Sequence, residues 1–183
     1  MILQGSMFAP ESSWTVPDVF PQFSETETVA IDLETYDPHL TTCGPGWATG
    51  RGHVVGFGVA TENWKGYFPI RHGGGGNLDE GIVIRWLTKL LSSTKRDVVF
   101  HNALYDVGWL RREGIIVKGN ILDTIVAAPL INENRFSYSL DNLGVAYCDE
   151  KKDESLLQDA ALAFGVNPKS EMYKLHAKYV GPY

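Results

Sequence analysis

The chain has 183 residues, which suits one domain, or one domain with short flanking arms. A chain of this length buries roughly 70% of the surface that its unfolded form exposes, so its core needs no disulfide or structural metal. Its net charge of −6 argues against a protein that grips long duplex DNA by neutralising phosphates alone. An enzyme that meets phosphate through metal ions held on carboxylates remains compatible with that charge.

The chain carries no signal of secretion or of a membrane span. No apolar run approaches the ~18 residues that a span needs, and no signal-peptide pattern opens the sequence. Its two cysteines, Cys43 and Cys148, match no metal or redox spacing. We therefore expect no membrane partner and a reduced, cytoplasmic setting.

Hydrophobic periodicity predicts an alternation of strands and helices. The first seven residues are interpreted as a cloning remnant, and residues 8–24, rich in proline, serine and aromatics, as an extended arm over the core. The elements that follow are a strand at 28–35, an antiparallel hairpin of strands at 53–60 and 63–70, a glycine-rich flexible linker at 72–77, a helix at 78–91 capped by Asn77, a strand at 97–101, a helix at 102–113, a strand at 121–124 and several helices after 125. This order predicts an α/β fold, a mixed sheet flanked by helices.

Asp32 and Glu34 are the first candidate functional residues. They are two apart on the first strand, so both side chains leave the same face of the sheet. One interpretation is the solvated face of a half-covered strand. The other is a metal site, because a first strand in an α/β fold is expected to be central and covered on both faces. Carboxylates held together there repel, and a hard cation such as Mg²⁺ or Mn²⁺ relieves the repulsion.

Asn102 and Asp106 form a second candidate pair. They are four apart at the start of the predicted helix and are expected to share one face of it. A solvated Asp106 is the plainer alternative. Leu104, Val107 and Leu110 are predicted to form the inward stripe of this helix, which leaves little polar face beside Asp106.

Three further polar side chains have structural interpretations. Asp123 is interpreted as the cap of the helix that follows it, and His101 as a hydrogen-bonding structural histidine. Lys174 and Lys178 share a helix face that is either solvated or guides a phosphate backbone.

These motifs together resemble a known nuclease superfamily. The run AIDLET at 30–35 resembles the first exonuclease motif of the DEDD superfamily, and VFHNALYD at 99–106 resembles the second. The stretches ILDTIVAA at 121–128 and YSLDNL at 138–143 are similar to the segment that follows in family A DNA polymerases of phage type, and also to ribonuclease D. The resemblance extends from about residue 26 to 183. It implies a ribonuclease-H-like 3′–5′ exonuclease domain at 26–183, preceded by the arm at 1–25.

The resemblance also implies residue roles. Asp32 would bridge two divalent metal ions, Mg²⁺ or Mn²⁺, with Glu34 on the first ion and Asp106 on the second. Thr35 and Asn102 would lie beside the terminal nucleotide. Tyr183 would be the tyrosine of the third motif, Tyr-x-x-x-Asp, which orients the attacking water.

The third motif is incomplete in this sequence. Its aspartate would fall beyond Tyr183, and no internal Tyr-x-x-x-Asp replaces it. The domain is therefore expected to be cut at the third motif, and the isolated chain to be weakly active or inactive. If the third motif lies elsewhere, an acid such as Asp153, Asp159 or Glu171 would have to take the place of this aspartate.

The leading functional hypothesis is metal-dependent hydrolysis at a single-stranded DNA 3′ end, releasing nucleoside monophosphates. Its implied setting is proofreading beside a polymerase domain, in a bacterial or phage-infected cell. Two alternatives stay open. One is a catalytically silent module that binds single strands or braces a polymerase, and the other is an exoribonuclease similar to ribonuclease D. The choice between DNA and RNA depends on contacts to the 2′-hydroxyl, which the sequence does not report.

Overall fold

Five strands form one mixed sheet in the order β3-β2-β1-β4-β5. The computed structural model describes residues 8–183. The strands are β1 (Val29–Tyr36), β2 (His53–Ala60), β3 (Lys65–Pro69), β4 (Asp97–Phe100) and β5 (Asn120–Asp123). The central strand β1 pairs antiparallel with β2 and parallel with β4. The predicted hairpin is present as β2 and β3, and the predicted α/β fold is confirmed.

Eight α-helices and one 3₁₀ helix accompany the sheet within residues 8–183. They are α1 (Leu40–Cys43), α2 (Gly46–Thr49), α3 (Glu80–Leu90), α4 (Ala103–Arg112), α5 (Thr124–Ile131), α6 (Leu140–Cys148), α7 (Ser155–Phe164), the 3₁₀ helix (Met172–Lys174) and α8 (Ala177–Val180). None of these helices is long and apolar enough to cross a membrane. The predicted start of α3 was wrong. The Asp79 carboxylate accepts from the backbone N–H of Ile82 and caps this helix, whereas Asn77 closes the preceding loop on His72.

Two apolar clusters hold the elements together. The first lies between the sheet and the helices α3 and α4, and its fully buried side chains include Val29, Phe57, Phe68, Leu87 and Trp109. The second joins α7 to the C-terminal helices through residues such as Leu157, Ala160, Leu175 and Tyr179. The second cluster matters for function because it carries the segment that ends at Tyr183.

The segment before β1 contributes to both clusters. Residues 8–24 contain no helix or strand. Phe20 stacks on Phe68 of the first cluster at 5.4 Å between ring centroids, and the Trp86 indole donates to the carbonyl of Pro21. Trp14 packs against Tyr67 and covers Gly181 in the second cluster. The residues predicted to be a cloning remnant lie outside the described part of the chain.

Helix α4 turns inward a face that matches the predicted one only in part, since Leu110 is buried and Val107 packs against the first cluster, but Leu104 does not. Leu104 is 75% exposed, whereas Ala103, Asp106, Trp109 and Leu110 are buried. The prediction centred the inward stripe on Leu104, Val107 and Leu110, but Trp109 has the larger apolar surface to bury and fixes the rotation of the helix. Asp106 is thereby carried into the interior.

The glycine-rich loop at 72–77 is a docking site for the C-terminal segment, so its interpretation as a flexible linker was wrong. Gly73 donates to the carbonyl of Tyr173 (2.7 Å), and the Gly75 carbonyl accepts from Ala177 (3.0 Å). A Cβ atom on Gly74 would collide with the backbone of His176, and one on Gly76 would collide with the His176 ring. The glycines are needed because two backbones approach closely here.

Gly74→Ala is expected to lower stability by about 1–3 kcal/mol, because its methyl group has rigid backbone in its way. For a chain of this size that corresponds to a melting temperature lower by roughly 2–10 °C. Thermal melts followed by circular dichroism measure the change.

Gly73→Ala is the matched control, since a Cβ there meets its nearest atom at an ordinary 3.5 Å. We expect it to be neutral or slightly stabilising. Equal melting temperatures for the two variants would contradict the docking of residues 173–177 on this loop.

Candidate active site

The strand β1 presents Asp32 and Glu34 on the face opposite its buried residues, as predicted. Ile31 and Leu33 point into the first cluster, and the strand alternates strictly between them. The face with the carboxylates is open, since Ala30 and Asp32 keep exposed surface. The expectation that β1 is covered on both faces is therefore wrong for this chain.

Glycines on the neighbouring strand make room beside these carboxylates. Gly58 pairs with Asp32 and Gly56 pairs with Glu34. The ring of Tyr67 lies over Gly56, where any side chain would collide with its hydroxyl group. Tyr67 therefore forms a wall of the pocket next to Glu34.

Asp106 reaches the same pocket from α4. Its residue surface is only 3% exposed. Burial raises the pKa of Asp106 to about 8, and the nearby charges of Asp32 and Glu34 contribute to the rise. The three carboxylates predicted to act together, from β1 and α4, are thus near enough to affect one another's ionisation.

The metal-free pocket disfavours ionised carboxylates, because the protein supplies little positive charge to neutralise them. Burial, followed by repulsion from Asp32, raises the pKa of Glu34 to about 7, and Lys152 opposes the rise. Burial also raises the pKa of Asp32, against the charges of Lys152 and His101. None of the ion pairs formed among residues 8–183 includes Asp32, Glu34 or Asp106.

This donor set fits hard divalent cations, because it consists of carboxylates whose charge is poorly compensated. In residues 8–183, however, no three Asp, Glu, His or Cys side chains lie close enough to form a metal site as they stand. Carboxylates repel until an ion draws them together, so the ligand shell is not preassembled.

Tyr183 lies near enough to this pocket for the charges of Glu34 and Asp32 to act on it. Its ring packs against the second cluster, and Lys152 Nζ sits 3.2 Å from the ring centroid. Burial raises the pKa of the Tyr183 hydroxyl, and the charges of Glu34 and Asp32 add to the rise. The hydroxyl group therefore stays protonated at neutral pH and can donate a hydrogen bond.

Thr35 and Asn102 lie at the ends of the elements that carry the acids. The Thr35 hydroxyl is 2.8 Å from that of Tyr105, which donates to Asp37 (3.0 Å). Asn102 is exposed and has left-handed backbone geometry (φ 75°) just before α4. Asn102 thus precedes the first helical turn, so the expectation that it shares a helix face with Asp106 was wrong.

The structural interpretations of two neighbours are confirmed. Asp123 accepts from Ile125 and so caps α5, and it also accepts from the backbone N–H groups of Asn102 and Ala103 at the start of α4. His101 is hydrogen-bonded to Thr124. Asp123 thereby fixes the start of the helix that carries Asp106.

Sequence reasoning missed Tyr67 and its partner His72. Burial lowers the pKa of His72 to about 4, so its ring is neutral. Its Nδ1–H donates to the Leu175 carbonyl (3.1 Å), and its Nε2 accepts from the Tyr67 hydroxyl (2.7 Å). The pair ties the pocket wall to the C-terminal segment. The glycines at every second position of β2 were the available signal, since they leave space for a large ring.

Comparison with known proteins agrees with this arrangement. A family model described as 3′–5′ exonuclease matches residues 11–177. The chain belongs to the 3′–5′ exonuclease domain family of A-type DNA polymerases. Members of this family are hydrolytic nucleases, and they typically depend on divalent metal ions.

Among curated proteins, the exonuclease domain is similar to phage DNA polymerases. It is 38% identical over 190 aligned residues to a DNA-directed DNA polymerase of Pseudomonas phage M6, an alignment that covers 99% of this chain and 28% of that protein. It is 29% identical over 149 residues to DNA polymerase DpoZ of Salmonella phage PMBT28, covering 80% of this chain and 21% of the relative. The domain thus spans less than a third of the length of these relatives.

Solved structures share the fold at low sequence identity. NrnC of Brucella melitensis with bound Mg²⁺ is 18% identical, with a TM-score of 0.53 over 76% of this chain and 67% of that one. Escherichia coli RNase D is 15% identical, with a TM-score of 0.50 over 84% of this chain and 36% of that one. These likenesses show the ribonuclease-H-like fold.

Proposed function

We propose that this exonuclease domain removes nucleotides from the 3′ end of a DNA strand and proofreads for a polymerase domain of the same polypeptide. The observation that carries the proposal is the shared pocket of Asp32, Glu34 and Asp106, whose charges are largely uncompensated. DNA is favoured over RNA as the substrate because the similar curated proteins are DNA polymerases. The likeness to RNase D extends to the fold alone.

We also propose that Asp32, Glu34 and Asp106 would hold two divalent ions, Mg²⁺ or Mn²⁺. When bound, such ions activate a water molecule and stabilise the leaving oxygen. The protein's own part is to position the reactants. The protonated Tyr183 hydroxyl would orient the attacking water, while Thr35 and Asn102 would lie beside the terminal nucleotide.

We further propose that a fourth acidic ligand follows Tyr183 in the longer polypeptide. Three internal acids were candidates to replace it, and each either makes another contact or lies exposed. Asp153 accepts from Ser155 at the start of α7, and Glu171 pairs with Lys174. Asp159 lies exposed on α7.

The proposed activity is tested on the complete protein with 5′-labelled single strands of DNA and RNA of the same sequence. We expect a ladder of products shortened one nucleotide at a time from the DNA 3′ end, with release of nucleoside monophosphates. A protein that binds the strand without shortening it would be the silent module. Faster shortening of RNA than of DNA would instead assign the domain to exoribonucleases.

Metal binding to this chain is expected to be weak. Three carboxylates that are not preassembled hold an ion loosely, so Mg²⁺ or Mn²⁺ should raise the melting temperature only at millimolar concentrations. Isothermal titration calorimetry measures the affinity directly, with Ala variants of Asp32 as the control. Micromolar binding of two ions would show that another residue of this chain completes the site.

A further inference from the structure

Lys152 is a half-buried, positively charged residue beside the pocket, and the proposed mechanism gives it no role. It lies in the connection between α6 and α7, both ends of which are fixed. Asp149 ends α6 with left-handed geometry (φ 54°), and Asp153 accepts from both the backbone N–H and the hydroxyl of Ser155 at the start of α7. The loop is thus short and anchored, and it aims Lys152 at Tyr183.

The ammonium group of Lys152 rests on the face of the Tyr183 ring, 3.2 Å from its centroid. A cation over an aromatic face is attracted by the negative charge of the ring face, and partial burial strengthens the attraction. Tyr183 is itself packed against the second cluster. The Tyr183 ring therefore holds the ammonium group of Lys152 in position beside the pocket.

From this place Lys152 faces two carboxylates without pairing with them. Its positive charge lowers the pKa of both Asp32 and Glu34. Yet it belongs to none of the ion pairs formed among the described residues. A gap wider than a direct ion pair therefore separates the ammonium group from the carboxylates.

A phosphodiester bound beside Tyr183 would lie next to this ammonium group. Its negative charge needs a cation on the side away from the acids, and a lysine offers a compact charge with three rotatable N–H donors. Had Lys152 been paired directly with Asp32 or Glu34, the carboxylate would have been lost as a metal ligand. The unpaired geometry keeps both groups available.

We propose that Lys152 is a substrate-binding residue whose ammonium group, held by the Tyr183 ring, donates to the non-bridging oxygens of the 3′-terminal phosphodiester. The inference rests on the proposed function, because that function places a phosphodiester in the pocket. The competing role is a plain counter-ion that neutralises the acids until metal arrives. A counter-ion would affect metal affinity and stability but would make no contact with the strand.

The test is a binding cycle that needs no turnover. The probe is a fluorescein-labelled oligothymidylate of about ten nucleotides in Ca²⁺, read by fluorescence anisotropy, with either a normal or an uncharged methylphosphonate 3′-terminal linkage. Lys152→Gln should weaken binding of the normal strand about tenfold, the size of a lost charge-assisted hydrogen bond. The neutral linkage should weaken binding of the unchanged protein similarly. Together the two changes should cost little more than either alone.

Two variants control the cycle. Lys151→Gln removes the same charge from the adjacent, exposed position and should leave the affinity within about twofold. Lys152→Arg keeps the charge and should retain most of the affinity, which excludes misfolding of the loop as the cause. Thermal melts confirm that each variant is folded.

The outcomes separate the two proposals. Additive losses from Lys152→Gln and the neutral linkage, or no loss from Lys152→Gln, would overturn the phosphate contact and leave the exonuclease function standing. A rise in Ca²⁺ affinity with unchanged DNA affinity would identify a counter-ion and also overturn it. Failure of the unchanged protein to bind the strand at all would overturn the proposed function, and the Lys152 contact with it.

Discussion

Asp32→Ala is expected to abolish shortening of DNA 3′ ends by the complete protein while the domain stays folded. Even the outer hydrogen-bonding partners of metal ligands typically contribute 10–100-fold, so removal of a proposed metal ligand should cost more than about a hundredfold in rate. The fold should survive because Asp32 keeps exposed surface, so its removal leaves no buried cavity. A labelled single strand with saturating Mn²⁺ measures the rate.

Glu62→Ala is the matched control, since it removes an exposed carboxylate from the turn between β2 and β3. It should change neither the rate nor the melting temperature appreciably. Near-normal digestion by Asp32→Ala would show that Asp32 holds no essential ion. A loss of activity with loss of the folded state would leave the rate uninterpretable, so Asp32→Asn, which keeps the side-chain shape, is assayed beside it and is expected to be equally slow.

The part of the site carried by β1 could be predicted from the sequence because it follows from a strict geometric rule. Side chains alternate along a strand, so Asp32 and Glu34 share a face whatever surrounds them. The rule says nothing about what covers that face. The expected cover over Ala30 and Asp32 is absent in the described residues, since it depends on elements distant in sequence.

Helix periodicity was a weaker guide than strand alternation. In α4 several rotations bury apolar side chains, and the sequence favoured one with Leu104 inward. The structure buries Trp109 and exposes Leu104 because the tryptophan packs into the first cluster and lies against Gly46, where a Cβ atom would touch its ring. The burial of Asp106 in the described structure follows from this rotation, and its role at the site stays a prediction that rests mainly on the resemblance to the second exonuclease motif.

Contacts between segments that are distant in the sequence could not be predicted from local sequence patterns. The glycines of the 72–77 loop suggested freedom of movement, but they permit close contact with residues 173–177, about a hundred positions away. Lys152 lies on a loop whose sequence, DEKKDES, is typical of an exposed turn. Only the folded arrangement brings Lys152 to the Tyr183 ring and so distinguishes it from the adjacent Lys151.

The buried charge of Asp106 gives the domain an unusual dependence of stability on pH when no metal is bound. The ordinary pKa of this carboxyl is 3.8, and burial with repulsion raises it to about 8 in the fold. Folding therefore favours the protonated form. The destabilisation is absent below about pH 4, grows as the pH rises, and is complete above about pH 8, where the carboxylate is charged in both states.

Asp106→Asn is therefore expected to stabilise the metal-free domain at high pH while destroying activity. At pH 9 in EDTA its melting temperature should exceed that of the unchanged protein by at least about 5 °C, since a few kcal/mol are involved. The difference should shrink toward pH 5, and Asp159→Asn, on the exposed face of α7, should show neither effect. Millimolar Mn²⁺ should narrow the gap by stabilising the unchanged protein alone. A melting temperature that is equal at pH 9, or a gap that widens at low pH, would mean that Asp106 carries no uncompensated charge in the pocket.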